Sequence, residues 1–498
     1  MGVIRRQSIK HSIVNLFGLG IGALSTFLVY PHVRSEFGLI QVLLQFGLLG
    51  LPLMSLGGNT VAVRFFPKFK DATQGHHGFL PLLAAMCGVG FTLSLILVLF
   101  FGDIYKAGIQ ARSPLIAHYF WFGLPIAFCY SASMVLSAYS SNFKRIVVPS
   151  LLLDFSQKLA LPLFMIGVWQ QWISLSIAVW GMVIHAFLVT CGLIFYLNKL
   201  GEWHWKPNWS FLSPALKKEM AAYIGFWSIG GFALLIAAKS DIFMVGSLSA
   251  ESAAGTFAIC AALAAIIEIP IKSLYSASAS SVAAYLNDGN LGELGKLYKS
   301  VSINLLVAGL LLFGGLWVSI DSIFQFFPQS QIHEMSAGIW VFFFIGASRL
   351  VEMTTGLNNN MVYYSPYYKY AFFSLTASAA ITISLNFWLT PMIGIAGAAV
   401  ATLVSITLYN LFSVWLVWTK YRLFPFTFNT VLAILLAVAA FLVAWILPDT
   451  RIPLVNIFLK GSVYALVFGI AVLRLNISPD LNGLWTLAFK KIKEFNPF

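Results

Sequence analysis

The stretch FLPLLAAMCGVGFTLSLILVLFF, residues 79–101, decides the fold of this chain. It contains no charged residue, and as a helix it is long enough to cross the roughly 30 Å hydrocarbon core of a bilayer. Similar runs recur throughout the 498 residues, which are 59% hydrophobic and 9% charged. A soluble domain carries about 25% charged residues. Because this chain has too little charge to cover a surface that faces water, the sequence predicts an all-α polytopic membrane protein.

The lengths of the apolar runs predict about fourteen transmembrane helices, since each helix needs about 20 predominantly apolar residues. The eighth run is too long for one straight crossing, and Pro270 within it predicts a kink. The predicted spans cover residues 11–33, 38–63, 79–101, 114–140, 147–169, 172–197, 215–240, 250–285, 297–319, 335–357, 367–389, 394–418, 427–447 and 453–474.

The distribution of lysine and arginine predicts the orientation of these spans. With the N-terminus in the cytoplasm, 21 of the 30 basic residues fall in cytoplasmic segments or span ends, and 4 fall in outer loops. Cytoplasmic loops retain lysine and arginine, so both termini are predicted to be cytoplasmic. The net charge of +13 has the same origin. Nucleic-acid binding is not predicted, because no soluble face combines a basic stripe with aromatic side chains.

An internal repeat relates the two halves of the chain at an offset of 217 positions. Gly38 at the start of the second span corresponds to Gly255 in the eighth, and Pro149 entering the fifth corresponds to Pro366 entering the eleventh. Six helices per half bring both halves in from the same side, which predicts two pseudo-symmetric lobes. The predicted divisions are a six-helix lobe (1–198), an interfacial linker (199–214), a second six-helix lobe (215–420), and two additional helices with a cytoplasmic tail (421–498).

Two such lobes predict a cleft near the middle of the bilayer, and ionisable residues inside spans are the candidates to line it. Glu268 and Lys272 flank Pro270, which leaves a backbone carbonyl that an aqueous lining satisfies. Lys239 ends the seventh span and Arg64 ends the second, where extension toward the membrane interface is an equal alternative. A cleft containing these three cations suits an anionic phosphate or pyrophosphate group.

Two further pairs of opposite charge lie inside predicted spans. Asp154 and Lys158 are four residues apart in the fifth span, and Arg349 and Glu352 are three apart in the tenth. These spacings place both members on one helical face, so we expect intramembrane charge pairs that neutralise themselves and connect helices.

No enzyme, cofactor or metal site is predicted. The chain has no P-loop, no GxSxG turn and no HExxH sequence. Its four cysteines lie singly in apolar runs, and His76 and His77 stand in a short inner loop. Movement of a substrate is therefore expected to use a gradient or substrate binding rather than ATP hydrolysis.

Several segments resemble the polysaccharide (Wzx-like) flippases of the multidrug/oligosaccharidyl-lipid/polysaccharide exporter superfamily. The segments EFGLI (36–40), LGG (56–58) and RFFPKF (64–69) resemble the second helix of that family. The segments KSDIFMVG (239–246) and AGTF (254–257) resemble its second-lobe signature, although a phenylalanine stands where the family usually has a tyrosine.

The resemblance implies a V-shaped arrangement of two six-helix lobes and a function. It implies a bacterial inner-membrane flippase for undecaprenyl-pyrophosphate-linked oligosaccharide, the repeat unit of O-antigen, capsule or exopolysaccharide. The implied partners are that lipid-linked glycan and membrane lipid, with a polysaccharide polymerase and glycosyltransferases as further candidates. The two additional helices agree with this branch, because drug exporters of the superfamily typically have twelve.

Four alternatives remain open. A multidrug/cation antiporter of the same superfamily predicts acids in the first or seventh span, and the first has none. A lipid II flippase predicts more arginines in the first two spans than Arg64 alone. A major-facilitator symporter predicts a charged glycine motif that residues 66–78 lack, and a membrane-embedded glycosyltransferase or polymerase predicts a large outer loop.

Overall fold

The chain folds as a multi-pass helical membrane protein. The computed structural model describes Val14, residues 17–327 and residues 332–483; within its helices, the side chains of residues 226–230, 232, 234, 237, 238, 272, 273, 276, 277, 280 and 332–335 lie outside the description. Its described part contains no strand, and twelve of its helical segments are long and apolar enough to cross a membrane. This confirms the predicted all-α polytopic fold. Two predicted spans are not among the twelve: the first, whose described residues form the helix Phe17–Leu28, and the seventh, which is the helix Pro214–Leu248.

Contacts divide the chain into two compact units. The first comprises Met1–Ile259 with Asn386–Ile395, and the second comprises Cys260–Leu385 with Ala396–Phe498. The predicted lobe boundaries stay a prediction.

The helices of the first unit are α1 (Phe17–Leu28), α2 (Arg34–Ser55), α3 (Gly58–Arg64), α4 (Phe66–Phe69), α5 (Phe79–Ile109), α6 (Pro114–Tyr119), α7 (Gly123–Ser141), α8 (Val147–Ser150), α9 (Ser156–Trp169), α10 (Leu175–Lys199) and α11 (Pro214–Leu248). The boundary between the units falls within α12 (Glu251–Ala264) and α18 (Tyr368–Ile393). The second unit adds α13 (Ile269–Asn287), α14 (Leu291–Val318), α15 (Ile320–Phe324), α16 (Ile332–Thr355), α17 (Asn358–Tyr363), α19 (Ile395–Tyr421), α20 (Phe428–Trp445) and α21 (Pro453–Arg474).

The second predicted span, 38–63, is interrupted in the structure. Helix α2 stops at Ser55, and Leu56 and Gly57 adopt left-handed backbone conformations with φ of 46° and 69°. Their amides donate to the carbonyls of Leu53 and Pro52, each at 3.3 Å, which satisfies the end of the helix. The prediction of one continuous helix is therefore wrong here. An apolar run does not reveal where residues within it leave the helical conformation.

The predicted kink near Pro270 is confirmed. Residues Ala265–Glu268 form a 3₁₀ turn between α12 and α13, and Pro270 occupies the first turn of α13. Proline is tolerated there because the first amides of a helix have no intrahelical partner. The turn places Glu268 at the junction of the two helices.

The C-terminal helices α20 and α21 pack against α14. The hydroxyl of Tyr464 is buried and donates to the Leu310 carbonyl at 2.7 Å. Gly314 makes this contact possible, since a Cβ there would lie 2.1 Å from the Tyr464 oxygen. Lys460 of α21 pairs with Asp449, which precedes this helix, at 2.7 Å.

Tyr464→Phe is expected to lower the free energy of unfolding by about 1 kcal/mol, because the Leu310 carbonyl loses one hydrogen-bond donor while the ring remains packed. The thermal midpoint in detergent measures the effect. A variant with an unchanged midpoint would show that this bond does not stabilise the packing of α21 against α14.

Asp480, after α21, ties the C-terminal segment to the start of α14. Its carboxylate accepts hydrogen bonds from Ser300 and from Asn304, the latter at 2.8 Å. These bonds hold the pKa of Asp480 below its usual value. The stabilisation is therefore present at neutral pH and is lost only as the pH falls through the lowered pKa.

Candidate functional site

An ion triad connects α16 to the junction of α12 and α13 in the second unit. The Nε of Arg349 lies 2.8 Å from the Oε1 of Glu268, and its Nη1 lies 3.4 Å from the Oε2 of Glu352. The three side chains are only 21–26% exposed. The guanidinium charge therefore lies beside two carboxylates: its Nη1 donates a hydrogen bond to Glu352, and its Nε is paired with Glu268 by charge without an aligned hydrogen bond. The structure therefore brings together Glu268, Arg349 and Glu352, which sequence spacing had assigned to two separate local pairs.

Lys272, which flanks Pro270 together with Glu268, belongs to α13, but its side chain lies outside the described residues. The predicted role of Lys272 in lining the cleft thus stays a prediction. Sequence reasoning missed the ion pair between Glu268 and Arg349 because their separation along the chain follows no helical period.

Tyrosine hydroxyls add further polar groups to the second unit. Tyr275 belongs to α13, Tyr363 to α17 and Tyr409 to α19. The Tyr275 hydroxyl donates to the Gly356 carbonyl at 2.6 Å, and the Tyr409 and Tyr363 hydroxyls are 3.5 Å apart. Tyr363 is 44% exposed. The second unit thus contains tyrosine hydroxyls as well as the half-buried triad, and one of these tyrosines, Tyr363, is exposed.

Amide side chains form a second buried polar cluster where α16 ends. Thr355 donates to the Oδ1 of Asn410 at 3.0 Å, and Asn358 donates to the same oxygen at 3.1 Å. Gly356, with φ of 60°, separates α16 from α17 at this point. The run NNN at 358–360, directly after a predicted span, was the available signal for this cluster.

Lys239 and Asp241, near the end of α11 in the first unit, differ in exposure. Lys239 is exposed, whereas Asp241 is buried and accepts a hydrogen bond from the Nδ2 of Asn386 at 3.1 Å. The hydroxyl of Thr390 in turn donates to the Oδ1 of Asn386 at 3.2 Å. Residues two apart on a helix point in different directions. The aspartate therefore belongs to a buried amide network, whereas the lysine is exposed.

Arg64 is the last residue of α3 and is exposed. Its guanidinium carbon lies 5.0 Å from the centre of the Tyr223 ring, within the range of a cation–π contact. This contact uses one face of the guanidinium. The N–H groups point outward in its plane and do not take part in the contact with the ring. Nearby, Lys68 pairs with Glu219 at 2.6 Å, although both side chains are about half exposed.

Asp154 and Lys158 contact different groups. Residues Leu151–Phe155 form a π-helical turn, and the Asp154 carboxylate accepts a hydrogen bond from Ser150 at 3.1 Å. The Lys158 chain lies against α1, where a Cβ on Gly18 would be 3.0 Å from its Cδ. Within the part of the chain that the structure describes, no ion pair joins Asp154 to Lys158. The wider turn changes the helical spacing on which the predicted pair depended.

Helices α2 and α12 cross at the two glycines that the internal repeat relates. A Cβ on Gly38 would lie 1.9 Å from the Glu251 carbonyl oxygen, and one on Gly255 would lie 2.1 Å from the Arg34 carbonyl oxygen. The Nη1 of Arg34 also donates to the Thr256 hydroxyl at 3.2 Å. Only residues without a Cβ permit such a close backbone approach. By the predicted topology, this crossing lies at the outer ends of both helices.

No known family profile and no curated protein matches the chain. Its fold is shared with solved structures of multi-pass membrane transporters. The lipid II flippase MurJ, in an inward closed conformation, aligns over 94% of this chain and 99% of its own, with a TM-score of 0.71 and 14% sequence identity.

A multidrug resistance MATE family transporter of the MOP superfamily, in an inward-facing conformation, aligns over 84% of this chain and 98% of its own, with a TM-score of 0.54 and 13% identity. A variant of the Vibrio cholerae MATE transporter VcmN covers 85% and 98%, with a TM-score of 0.50 and 11% identity. At these identities the likeness establishes the fold alone.

Proposed function

We propose that this chain is a flippase that moves polyprenyl-pyrophosphate-linked oligosaccharide across the bacterial inner membrane by alternating access. The observation that carries the proposal is the fold, because a lipid II flippase shares it over 94% of this chain. The segments at 36–40 and 239–246 support the oligosaccharide branch, since they resemble polysaccharide flippases. Both termini are assigned to the cytoplasm by the positive-inside rule.

The anionic headgroup is assigned to Lys239, Arg64 and Lys272, with Glu268 in a positioning role. Exposed Lys239 supplies a point charge, and Arg64 supplies a planar fork whose in-plane donors fit phosphate oxygens. Glu268 is held by Arg349 at the start of α13, the helix that carries Lys272. The polyprenyl chain stays in the lipid, where burial of its apolar surface requires no protein cavity.

The crossing of α2 and α12 supplies an outer closure for this mechanism. Release of a headgroup to the outer face requires the outer ends of these helices to separate. The contact involves backbone atoms and a hydrogen bond from Arg34 to Thr256, which would have to break for the helices to separate. Alternating access then corresponds to breaking and re-forming this crossing.

Transport of fluorescent polyprenyl-pyrophosphate oligosaccharide in liposomes tests the function. We expect the purified protein to make the labelled glycan accessible to a membrane-impermeant quencher or hydrolase on the opposite side. Protein-free liposomes and liposomes with heat-inactivated protein are the controls. Absence of movement of the glycan, in liposomes where the protein is folded, would contradict the proposal.

The second candidate is a lipid II flippase, favoured by the higher TM-score of MurJ than of the MATE transporters. The same liposomes distinguish the two when they are loaded with lipid II. Movement of lipid II without movement of the oligosaccharide would establish this alternative. Movement of an organic cation alone, driven by a sodium or proton gradient in the opposite direction, would establish a multidrug antiporter instead.

Lys272→Ala is expected to reduce glycan transport about 10- to 100-fold, the effect of losing one charged contact worth about 1.5–3 kcal/mol. Membrane insertion is expected to be normal, because alanine is tolerated within a helix. Lys296→Ala is the matched control, since Lys296 is exposed and pairs locally with Glu293 at 2.7 Å. Normal glycan display from well-expressed Lys272→Ala protein would remove this residue from the proposed site.

A further inference from the structure

Two histidines and a glutamate meet on the predicted cytoplasmic face of the first unit. The side chain of His76, in the loop between α4 and α5, is 3% exposed, and its Nε2 lies 2.9 Å from the Oε2 of Glu202. Glu202 and His204 belong to the linker between α10 and α11, and the rings of His76 and His204 are 5.4 Å apart. One ligand atom from each of the three residues lies within 4.8 Å of the other two.

The backbone holds this cluster in an unusual conformation. His76 and His77 have φ of 53° and 49°, a left-handed region that a residue with a side chain rarely adopts. The flanking glycines let the linker approach, because a Cβ on Gly75 would lie 3.2 Å from the His204 Cβ and one on Gly78 would lie 2.4 Å from the Asn208 nitrogen. Strained backbone of this kind concentrates at functional sites.

We propose that His76, Glu202 and His204 form a binding site for a divalent transition-metal ion of the zinc class. Two imidazoles and one carboxylate are a ligand set that binds zinc with a fourth position left for water. Tetrahedral bonds of about 2.1 Å place ligand atoms roughly 3.4 Å apart. The existing separations approach that value, so rotation of the side chains completes the geometry without moving a helix.

Binding requires one rearrangement at His76. The backbone amide of Asp71 donates to its Nδ1 at 3.2 Å, which leaves the proton of the neutral ring on Nε2, facing Glu202. An ion bound at Nε2 requires that proton on Nδ1, so the Asp71 amide has to turn away. The Lys70–Asp71 peptide lies just after α4, where the backbone of Lys70 is extended, so this amide is not held by the helix.

The site would connect a loop of the first unit to the linker that leads toward α11. Aromatic contacts already support the same connection, because the His77 ring stacks on Phe211 with centroids 4.1 Å apart. A bound ion would replace two hydrogen bonds of His76, with Glu202 and with the Asp71 amide, by three coordination bonds. We therefore assign the metal a structural role in fixing the linker, and this inference is independent of the transported substrate.

Titration of zinc chloride into the full-length, chelator-treated protein tests the site. Isothermal titration calorimetry is expected to show one site per chain, with a higher thermal midpoint in the presence of zinc. His204→Ala and Glu202→Gln are each expected to weaken binding at least about tenfold. His118→Ala is the matched control, because His118 is exposed in α6 and remote in sequence from the loop and the linker.

Binding retained at full affinity in both His204→Ala and Glu202→Gln would overturn the assignment, as would an equal loss in His118→Ala. Absence of zinc binding by the folded wild-type protein would overturn it as well. The thermal midpoint measured without metal shows whether each variant folds. Because there are two linker variants, the test remains valid if one of them fails to fold.

Discussion

Gly38→Ala is expected to open the crossing of α2 and α12 and to reduce transport at least tenfold. The added Cβ would start 1.9 Å from the Glu251 carbonyl oxygen, a backbone atom that cannot rotate away. The helices must therefore separate by more than about 1 Å, and Arg34 loses its 3.2 Å hydrogen bond to Thr256. Overpacking of this kind costs about 1–3 kcal/mol. A cost of that size shifts a two-state equilibrium toward the open arrangement by about 5- to 150-fold.

Labelling of a cysteine at position 256 measures the crossing directly. Thr256 is 1% exposed, so Thr256→Cys, in a background without the four native cysteines, is expected to react slowly with a maleimide. The same cysteine is expected to react rapidly when Gly38→Ala is added. Gly88→Ala is the matched control, because a Cβ on Gly88 meets nothing within 4 Å.

The two measurements together separate closure from folding. Unchanged labelling and unchanged transport in Gly38→Ala would show that the crossing is not an outer closure. Gly255→Ala is expected to act in the same way, since its Cβ would lie 2.1 Å from the Arg34 carbonyl oxygen. The two substitutions disrupt the same contact, so their effects are not expected to add.

The sequence predicts the helices well because apolar length is a local property. Residues 79–101 had to form a spanning helix, and Phe79–Ile109 does so. The repeat identified Gly38 and Gly255 as equivalent positions, but equivalence by sequence offset does not reveal that the two glycines touch. That contact depends on how two helices far apart in the chain are packed.

The candidate site was less predictable for the same reason. Helical spacing found Arg349 and Glu352, which are 3.4 Å apart, but it had no means of finding Glu268 beside Arg349. His76 and Glu202, 126 positions apart, give no signal in the sequence, because nothing local indicates that the loop and the linker meet. The helical spacing of three or four residues predicts a pair on one helix. The ion triad and the metal ligands come from segments far apart in the sequence, which only tertiary packing brings together.

Arg349→Met is expected to destabilise the second unit more than any other single change in a span. Two carboxylates, on Glu268 and Glu352, would lose the guanidinium that lies 2.8 and 3.4 Å from them. Removing one partner of a buried ion pair costs about 3–5 kcal/mol, and the 21–26% exposure of these side chains places the expected loss near the lower limit. Arg349→Lys keeps the charge but loses the planar fork, so its effect is expected to be intermediate.

A double-mutant cycle identifies the interaction that is responsible. Glu268→Gln alone removes one charge and keeps a hydrogen-bonding side chain, so we expect a smaller loss in the thermal midpoint than for Arg349→Met. The double variant is expected to be more stable than the sum of the single losses predicts, because Arg349→Met costs less when Glu268 carries no charge. Strictly additive losses would show that Glu268 and Arg349 do not stabilise each other. The triad would then be a coincidence of packing, and the positioning role proposed for Glu268 near Lys272 would lose its structural basis.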